Sequence, residues 1–339
     1  MSRHRNIITP DLFADPFGER AFLPKKTLQL LGARFDFESD SRELLGLVES
    51  AFDGLPRHRL GATPPRLRVR LLVTRDATKG RRAEPPPLEM FAGAGFLGGA
   101  TGSSSFVTLS AEQGAAVVAV SPAQLRFPYH TRYELIEFAV FTLGARSQGL
   151  VPLHGACVSR GGRGVLLVGD SGSGKTTAAL HSVLEGLDFV SEDSVFVAPA
   201  TLRATGIANF LHVRADALRL IQSTAAVQAI RKSPIIQRRS GVRKFEVDLR
   251  RGNYRLAPSA PQLTAVVFLS ADAAGERALL TRLPASAVAG RLAALQPYAR
   301  SQREWPLFAK NMTRLGAFEL RRGPHPRDTV AALREVLAS

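Results

Sequence analysis

The stretch GVLLVGDSGSGKTT, residues 164–177, fits the pattern G-x-x-x-x-G-K-S/T. Its apolar run at residues 165–168 predicts a strand that leads into a loop, and residues 176–187, TTAALHSVLEGL, predict a helix that leads out. Glycines let successive N–H groups point at an anion, and a helix presents its positive end to the same spot. The stretch therefore predicts an α/β fold that binds the phosphates of a nucleotide.

Each residue of the predicted loop has an expected role. The Lys175 ammonium supplies a point charge between the outer phosphates, and the Thr176 hydroxyl is positioned to ligate Mg²⁺. The expected nucleotide-binding residues are Gly169, Asp170, Ser171, Gly172, Ser173, Gly174, Lys175, Thr176 and Thr177.

A glycine turn, RGGR at residues 160–163, precedes the loop. If residues 154–159 pair with residues 164–169 around this turn, opposed residues sum to 323 in sequence number. His154 then lies across from Gly169, at the entrance of the loop. That register favours a functional role for His154 over an ordinary surface or core histidine.

Two adjacent acids follow the predicted helix, in LDFVSEDSVFV at residues 187–197. Glu192 and Asp193 stand in an apolar run, where carboxylates are costly to bury unless a cation or a hydroxyl uses them. Mg²⁺ is the natural partner, so the pair indicates phosphate chemistry. The alternative is a turn with two solvated acids.

A further cation is expected beside the phosphates. Arg243 and Lys244, in RRSGVRKFEVDLRR at residues 238–251, are the best candidates, and Arg214 is a weaker one. A solvated basic face is the alternative interpretation of the same stretch.

Length and composition predict the domain organisation. The chain has 339 residues and 45% hydrophobic content, enough for two α/β domains with a core each. Alternating strand patterns and one helical pattern mark a smaller N-terminal domain, residues 1–148. The helical stretch TRYELIEFAVFTLGARSQG, residues 131–149, leads into a second domain, residues 149–339.

Charge and cysteine content exclude several classes. The net charge is +16, but the arginines are scattered and no zinc-ligand spacing or RNP-type signature accompanies them, so nucleic acid is not favoured as a partner. No apolar run of membrane-spanning length occurs, and residues 1–13 lack a secretory apolar core, so we expect a cytoplasmic protein. Cys157 is the single cysteine, which predicts a buried thiol and no intrachain disulfide.

Residues 153–197, LHGACVSRGGRGVLLVGDSGSGKTTAALHSVLEGLDFVSEDSVFV, resemble the catalytic core of the HPr kinase/phosphorylase superfamily. That fold is shared more distantly with the ATP-dependent phosphoenolpyruvate carboxykinases. The resemblance implies a P-loop domain with a mixed sheet, ATP and Mg²⁺ as cofactors, and phosphate transfer to a serine-type hydroxyl. It also raises the possibility of a homo-oligomer.

The same resemblance implies roles by position. Glu192 becomes the base, Asp193 a metal-binding or orienting carboxylate, and His154 a group beside the transferred phosphate. The family usually has Asp where this chain has Glu192, so the base is open between the two acids. Thr176-Thr177 stands where HPr kinases have Ser-Glu, which leaves the acceptor open among a protein, a peptide and a small molecule.

The sequence predicts a kinase on these grounds. Two other classes stay open: a nucleotide-sensing module without phosphotransfer, and a carboxykinase-like enzyme acting on an organic acid. A sensor has little need for two acids beside the γ-phosphate, and recognition of a small acid calls for a cationic pocket.

Overall fold

The computed structural model describes residues 24–74 and 84–338. Residues 1–13, in which the sequence lacks a secretory apolar core, lie outside these ranges. Within them, no helix is both long enough and apolar enough to cross a membrane.

The first sheet is mixed and has seven strands in the order β1-β2-β3-β7-β6-β5-β4. The strands are β1 Lys25–Leu30, β2 Ala33–Ser39, β3 Arg66–Val73, β4 Leu88–Gly93, β5 Phe96–Thr101, β6 Ser105–Ser110 and β7 Ala115–Val120, with helix α1 Arg42–Phe52 between β2 and β3. Strand β3, RLRVRLLV, alternates arginines with the buried Leu67, Val69 and Leu71. Its apolar side chains therefore share one face of the sheet.

The glycine-rich stretch at residues 91–106 contains the turn of a hairpin. Strands β4 and β5 pair in antiparallel register around Ala94 and Gly95, whose φ angles are 48° and 80°. Two successive positive φ angles match the twist of a tight hairpin.

A long helical segment links the first sheet to the second. It follows the short helix α2, Pro122–Leu125, and consists of α3 Pro128–His130, a π-helical part at Thr131–Glu137 and α4 Phe138–Gln148. The apolar residues of its helical pattern are buried: Leu135, Ile136, Ala139, Val140 and Leu143. The segment ends at Gly149, as the sequence predicts, and Gly149 adopts the left-handed conformation common at helix ends. The π-helical part was not expected.

The second sheet is also mixed, in the order β11-β10-β8-β9-β15-β17-β16. Its strands are β8 Val151–Arg160, β9 Arg163–Val168, β10 Asp188–Val197, β11 Ala204–Thr205, β15 Gln262–Ala273, β16 Leu280–Arg282 and β17 Gly316–Arg322. A small antiparallel sheet, β12-β14-β13, contains β12 Phe210–Val213, β13 Ile235–Gln237 and β14 Arg243–Asp248. The helices are α5 Lys175–Leu184, a 3₁₀ helix Ala215–Leu220, α6 Thr224–Arg231, α7 Ala285–Leu295, α8 Pro297–Arg300, α9 Trp305–Met312 and α10 Pro326–Ala338.

Helices cover the second sheet on both faces. Val158 and Leu167 face a core that includes side chains of α5 and α10, whereas Leu166 and Cys157 face a core that includes side chains of α7 and α9. Cys157 is fully buried and unpaired, as the sequence predicts. The predicted register around the glycine turn is confirmed, since paired residues of β8 and β9 sum to 323 from Arg160–Arg163 to Ala156–Leu167.

Candidate active site

The phosphate loop lies between β9 and α5. Gly172 and Gly174 adopt left-handed backbone angles, with φ of 83° and 100°, and α5 begins directly after them at Lys175. The Lys175 ammonium donates to the carbonyl oxygens of Gly169 at 2.7 Å and Asp170 at 3.0 Å. Burial lowers the pKa of Lys175 from its ordinary value. The loop thus has the strand, glycines and helix that the sequence predicts.

A cleft of about 1090 Å³ opens beside the loop. Most of the predicted site residues line it: His154, residues 171–177, Glu192 and Asp193. Gly169, Asp170 and Arg243 are not among its lining residues. The cleft is large enough for a nucleotide together with a second substrate.

The two acids of β10 both line the cleft, although adjacent residues of a regular strand point to opposite faces. Asp193 interrupts the alternation because its φ is +84°, in the left-handed region that residues other than glycine seldom adopt. A shift in the pairing of β10 with β8 also lies just before, between Phe189 and Ser191. The strand therefore presents neighbouring carboxylates on one side.

Glu192 contacts the phosphate loop directly. Its Oε1 accepts a hydrogen bond from the Thr176 hydroxyl. Its Oε2 is buried and has no hydrogen-bond partner among the described residues. A buried carboxylate oxygen without a partner is costly, which makes it a site for a proton, a hydroxyl or a cation.

Asp193, in contrast, is fully engaged. Its Oδ1 lies 3.0 Å from His154 Nδ1, and its Oδ2 lies 3.4 Å from the Tyr133 hydroxyl and 3.7 Å from Arg238 Nη1. Burial by itself raises the pKa of Asp193, but the His154 hydrogen bond and the Arg238 charge outweigh burial and hold this pKa well below its usual range. The same hydrogen bond raises the pKa of His154.

His154 is held by its backbone. Its N–H donates to Gln296 Oε1 and its carbonyl accepts from Gln296 Nε2, each at 2.8 Å. The β8–β9 ladder ends at Ala156–Leu167, so His154 does not pair with Gly169 as expected. His154 pairs instead with Ser194 of β10, which puts its ring beside Asp193.

Strand β14 of the small sheet and the residues that directly follow β12 and β13 form the cationic wall of the cleft. Arg238, Lys244 and Arg214 line it, whereas Arg243 precedes Lys244 on β14 and is exposed on the other side of the strand. Arg238 was not among the predicted cations, although it lies in the same basic stretch. Side chains alternate between the two faces of a strand, so Val242 and Lys244 face the cleft and Arg243 does not. This alternation was the sequence signal for choosing Lys244 over Arg243.

The site fits a magnesium ion bound mainly by phosphate. No cluster of three or more His, Cys, Asp or Glu residues suited to a metal occurs in residues 24–74 and 84–338. Mg²⁺ in such sites takes one or two protein oxygens and the rest from phosphates and water. The Thr176 hydroxyl, in the first turn of α5 and on the cleft, matches one such protein oxygen.

No family model matches the chain. A segment of 47 residues is 51% identical to "HPr kinase/phosphorylase" of Mycoplasmopsis pulmonis (strain UAB CTIP), covering 14% of this chain and 15% of that protein. A segment of 90 residues is 34% identical to "HPr kinase/phosphorylase" of Chlorobium phaeobacteroides (strain BS1), covering 25% of this chain and 26% of that protein. The chain thus spans about a quarter or less of the length of these relatives.

A solved structure, the Hpr(Ser) kinase/phosphatase from Coxiella burnetii, aligns with 55% of this chain and 87% of that chain. The TM-score of this alignment is 0.28 and the sequence identity is 12%. The two sequence relatives confirm the resemblance on their own. Over the part of its length that they match, the chain is HPr kinase/phosphorylase-like.

Proposed function

We propose that the protein is an ATP-dependent kinase that transfers the γ-phosphate to a serine-type hydroxyl. The observation that carries the proposal is the Glu192 carboxylate, which contacts Thr176 of the phosphate loop and keeps a buried oxygen without a partner in the same cleft. The names of the two sequence relatives support a kinase or phosphorylase.

The phosphate loop would hold the nucleotide. Backbone N–H groups of residues 171–176 and the first turn of α5 would contact the phosphates, and Lys175 would exchange its two carbonyl bonds for phosphate oxygens. Thr176 would help to hold Mg²⁺, which neutralises charge on the β- and γ-phosphates when bound.

Glu192 would act as the base. As the acceptor oxygen bonds to the γ-phosphorus, the hydroxyl proton passes to Glu192 Oε2, the bond to the bridging oxygen breaks, and ADP leaves. A positioned base contributes about 10²- to 10⁴-fold. Asp193 suits an orienting role better, because its oxygens already hold His154, Tyr133 and Arg238.

The cation beside the transferred phosphate would be Arg238 or Lys244 in place of Arg243. Arg238 and Lys244 line the cleft, and Lys244 is half-buried with its pKa lowered by burial and by the nearby Arg238 charge. A cation in that position stabilises charge that develops on the moving phosphoryl group.

Residues 1–148 would select the acceptor, with the domain boundary at Gly149. The relatives are named for HPr, but each match covers only part of them. The acceptor is therefore proposed as a hydroxyl on a protein, a peptide or a small molecule.

Incubation of the protein with γ-labelled ATP and cell extract tests this function. We expect label on one acceptor, with Lys175→Ala losing both transfer and ATP affinity. Glu192→Gln should lower the rate of labelling about 10²- to 10⁴-fold while leaving ATP affinity largely intact.

The matched control is Asp188→Asn, which changes an acid of the same strand that pairs with Arg255 instead of facing the cleft. It should label the acceptor at the wild-type rate. ATP binding with no labelled acceptor would indicate a sensor, and a labelled organic acid would indicate a carboxykinase-like enzyme. Full activity of Glu192→Gln would refute the assigned base.

A further inference from the structure

Tyr133 brings the first half of the chain into the candidate site. Its hydroxyl donates to Asp193 Oδ2 at 3.4 Å and accepts from Arg238 Nη1 at 3.2 Å. The Arg238 guanidinium also lies over the Tyr133 ring, 5.0 Å from its centroid. One hydroxyl thus connects a carboxylate and a cation that line the cleft.

The π-helical part, Thr131–Glu137, accounts for this placement. Within it, Arg132 reaches Glu246 of β14, and Glu134 bonds Arg239, the neighbour of Arg238. Wider turns of this kind are frequent at functional sites in proteins. Arg132 therefore anchors the helix to the small sheet, and Glu134 anchors it to the turn between β13 and β14.

Arg238 has few other fixed contacts. Its Nη2 donates to His212 Nδ1 at 3.2 Å, and its Nε is buried with no partner among the described residues. Its Nη1 lies 3.7 Å from Asp193, longer than its contact with Tyr133. The orientation of the guanidinium in the cleft consequently depends on the Tyr133 hydroxyl.

We propose that Tyr133 is a positioning residue for phosphotransfer, which aligns Arg238 and Asp193 through its hydroxyl. The inference rests on the proposed function. It means that the N-terminal half of the chain contributes a residue to the active site. Tyr133 itself need not touch either substrate. Its effect should fall on the rate of transfer and leave nucleotide binding unchanged.

The test compares Tyr133→Phe with Tyr129→Phe. Phenylalanine at 133 keeps the ring under Arg238 and removes only the hydroxyl. Tyr129 is the matched control, because its ring stacks on Tyr133 at 5.6 Å and its hydroxyl is buried without a partner among the described residues. Both variants are assayed with γ-labelled ATP at varied concentration and a fixed amount of cell extract.

We expect Tyr133→Phe to lower the maximal labelling rate about tenfold, the size of one lost hydrogen bond in the transition state, while KM for ATP changes less than about twofold. Tyr129→Phe should match wild type. Equal rates for the two variants, or a loss that lies in KM alone, would overturn the positioning role.

A second readout does not require transfer. Melting temperatures are measured for Tyr133→Phe, Asp193→Asn and the double variant. Because the two side chains share a hydrogen bond, the double variant should lose less than the sum of the single losses. Additive losses would show that Tyr133 does not act on Asp193.

The labelling assay distinguishes failure of the proposed function from failure of the inference. A wild-type protein that binds ATP but labels nothing refutes the proposed kinase and, with it, a positioning role in transfer. A kinase whose Tyr133→Phe variant is fully active refutes only the inference.

Discussion

Gly155 and Asp193 face each other across strands β8 and β10. A side chain at 155 has no room, because a Cβ there would lie 2.6 Å from the carbonyl oxygen of Leu167 on β9. Asp193 in turn adopts a left-handed backbone, which is tolerated by Asp better than by most residues. The absence of a side chain at 155 therefore lets β9 approach β8 opposite Asp193.

At the residue scale, we predict that Gly155→Ala destabilises the protein by about 1–3 kcal/mol, the usual cost of forcing extra volume into a packed region. Urea unfolding measures it. Gly46→Ala is the control, since Gly46 is exposed in α1 with nothing within 4 Å of its added Cβ, and alanine there should stabilise the helix by about 0.5–1 kcal/mol. Similar unfolding curves for both variants would contradict the packing argument.

The π-helical part is the element that joins the two halves of the site. Arg132, buried, contacts Glu246 of β14 and lies 3.7 Å from the buried Glu137, and His212 Nε2 lies 3.2 Å from Glu246. Burial raises the pKa of Glu137, while the Arg132 charge opposes that rise. A buried cation shared by two carboxylates fixes the helix against the small sheet.

At the element scale, Arg132→Met should cost about 3–5 kcal/mol in urea unfolding, because it leaves buried carboxylates without their cation. The double variant Arg132→Met with Glu246→Met should recover part of the lost free energy of unfolding, because one of the two unpaired buried carboxylates is removed. A single variant within about 1 kcal/mol of wild type would mean that water reaches the network.

Over the whole molecule, buried histidines couple folding to pH. His58, in the segment between α1 and β3, bonds Thr205 Oγ1 at 2.8 Å and the Ala257 carbonyl at 2.9 Å, so it ties the first sheet to the second part of the chain. Burial lowers the pKa of His58, and burial together with the His325 charge lowers that of His181 to about 4. His181 is therefore neutral in the folded protein near pH 6.

We therefore predict that stability is lost as pH falls below about 6.5, where unfolded histidines bind protons that the folded protein excludes. His181 contributes a slope of about 1.4 kcal/mol per pH unit, which ends near its folded pKa of about 4. His58 contributes a loss of the same sign, because burial lowers its pKa as well. His181→Leu should remove the His181 slope, because the titrating group is gone. The substitution costs no hydrogen bond at Nε2, which has no partner among the described residues. Urea unfolding of both proteins from pH 8 to pH 4.5 measures the difference; parallel curves would contradict it.

The sequence alone determined the parts that local chemistry controls. Glycine positions and the following helix specify the phosphate loop, the turn RGGR specifies the register of β8 and β9, and apolar periodicity specifies α1 and α4. Each of these depends on neighbours within about one element, so its signal is present in a short stretch.

Only the tertiary structure decided how distant side chains meet. His154 joins Asp193 through the pairing of β8 with β10, and Arg238 reaches the cleft from the turn between β13 and β14. Tyr133 comes from a helix 60 residues before Asp193. These contacts depend on strand order, on one left-handed residue and on a π-helical turn. No spacing in the chain encodes them, because they follow from the packing of elements that are far apart in sequence.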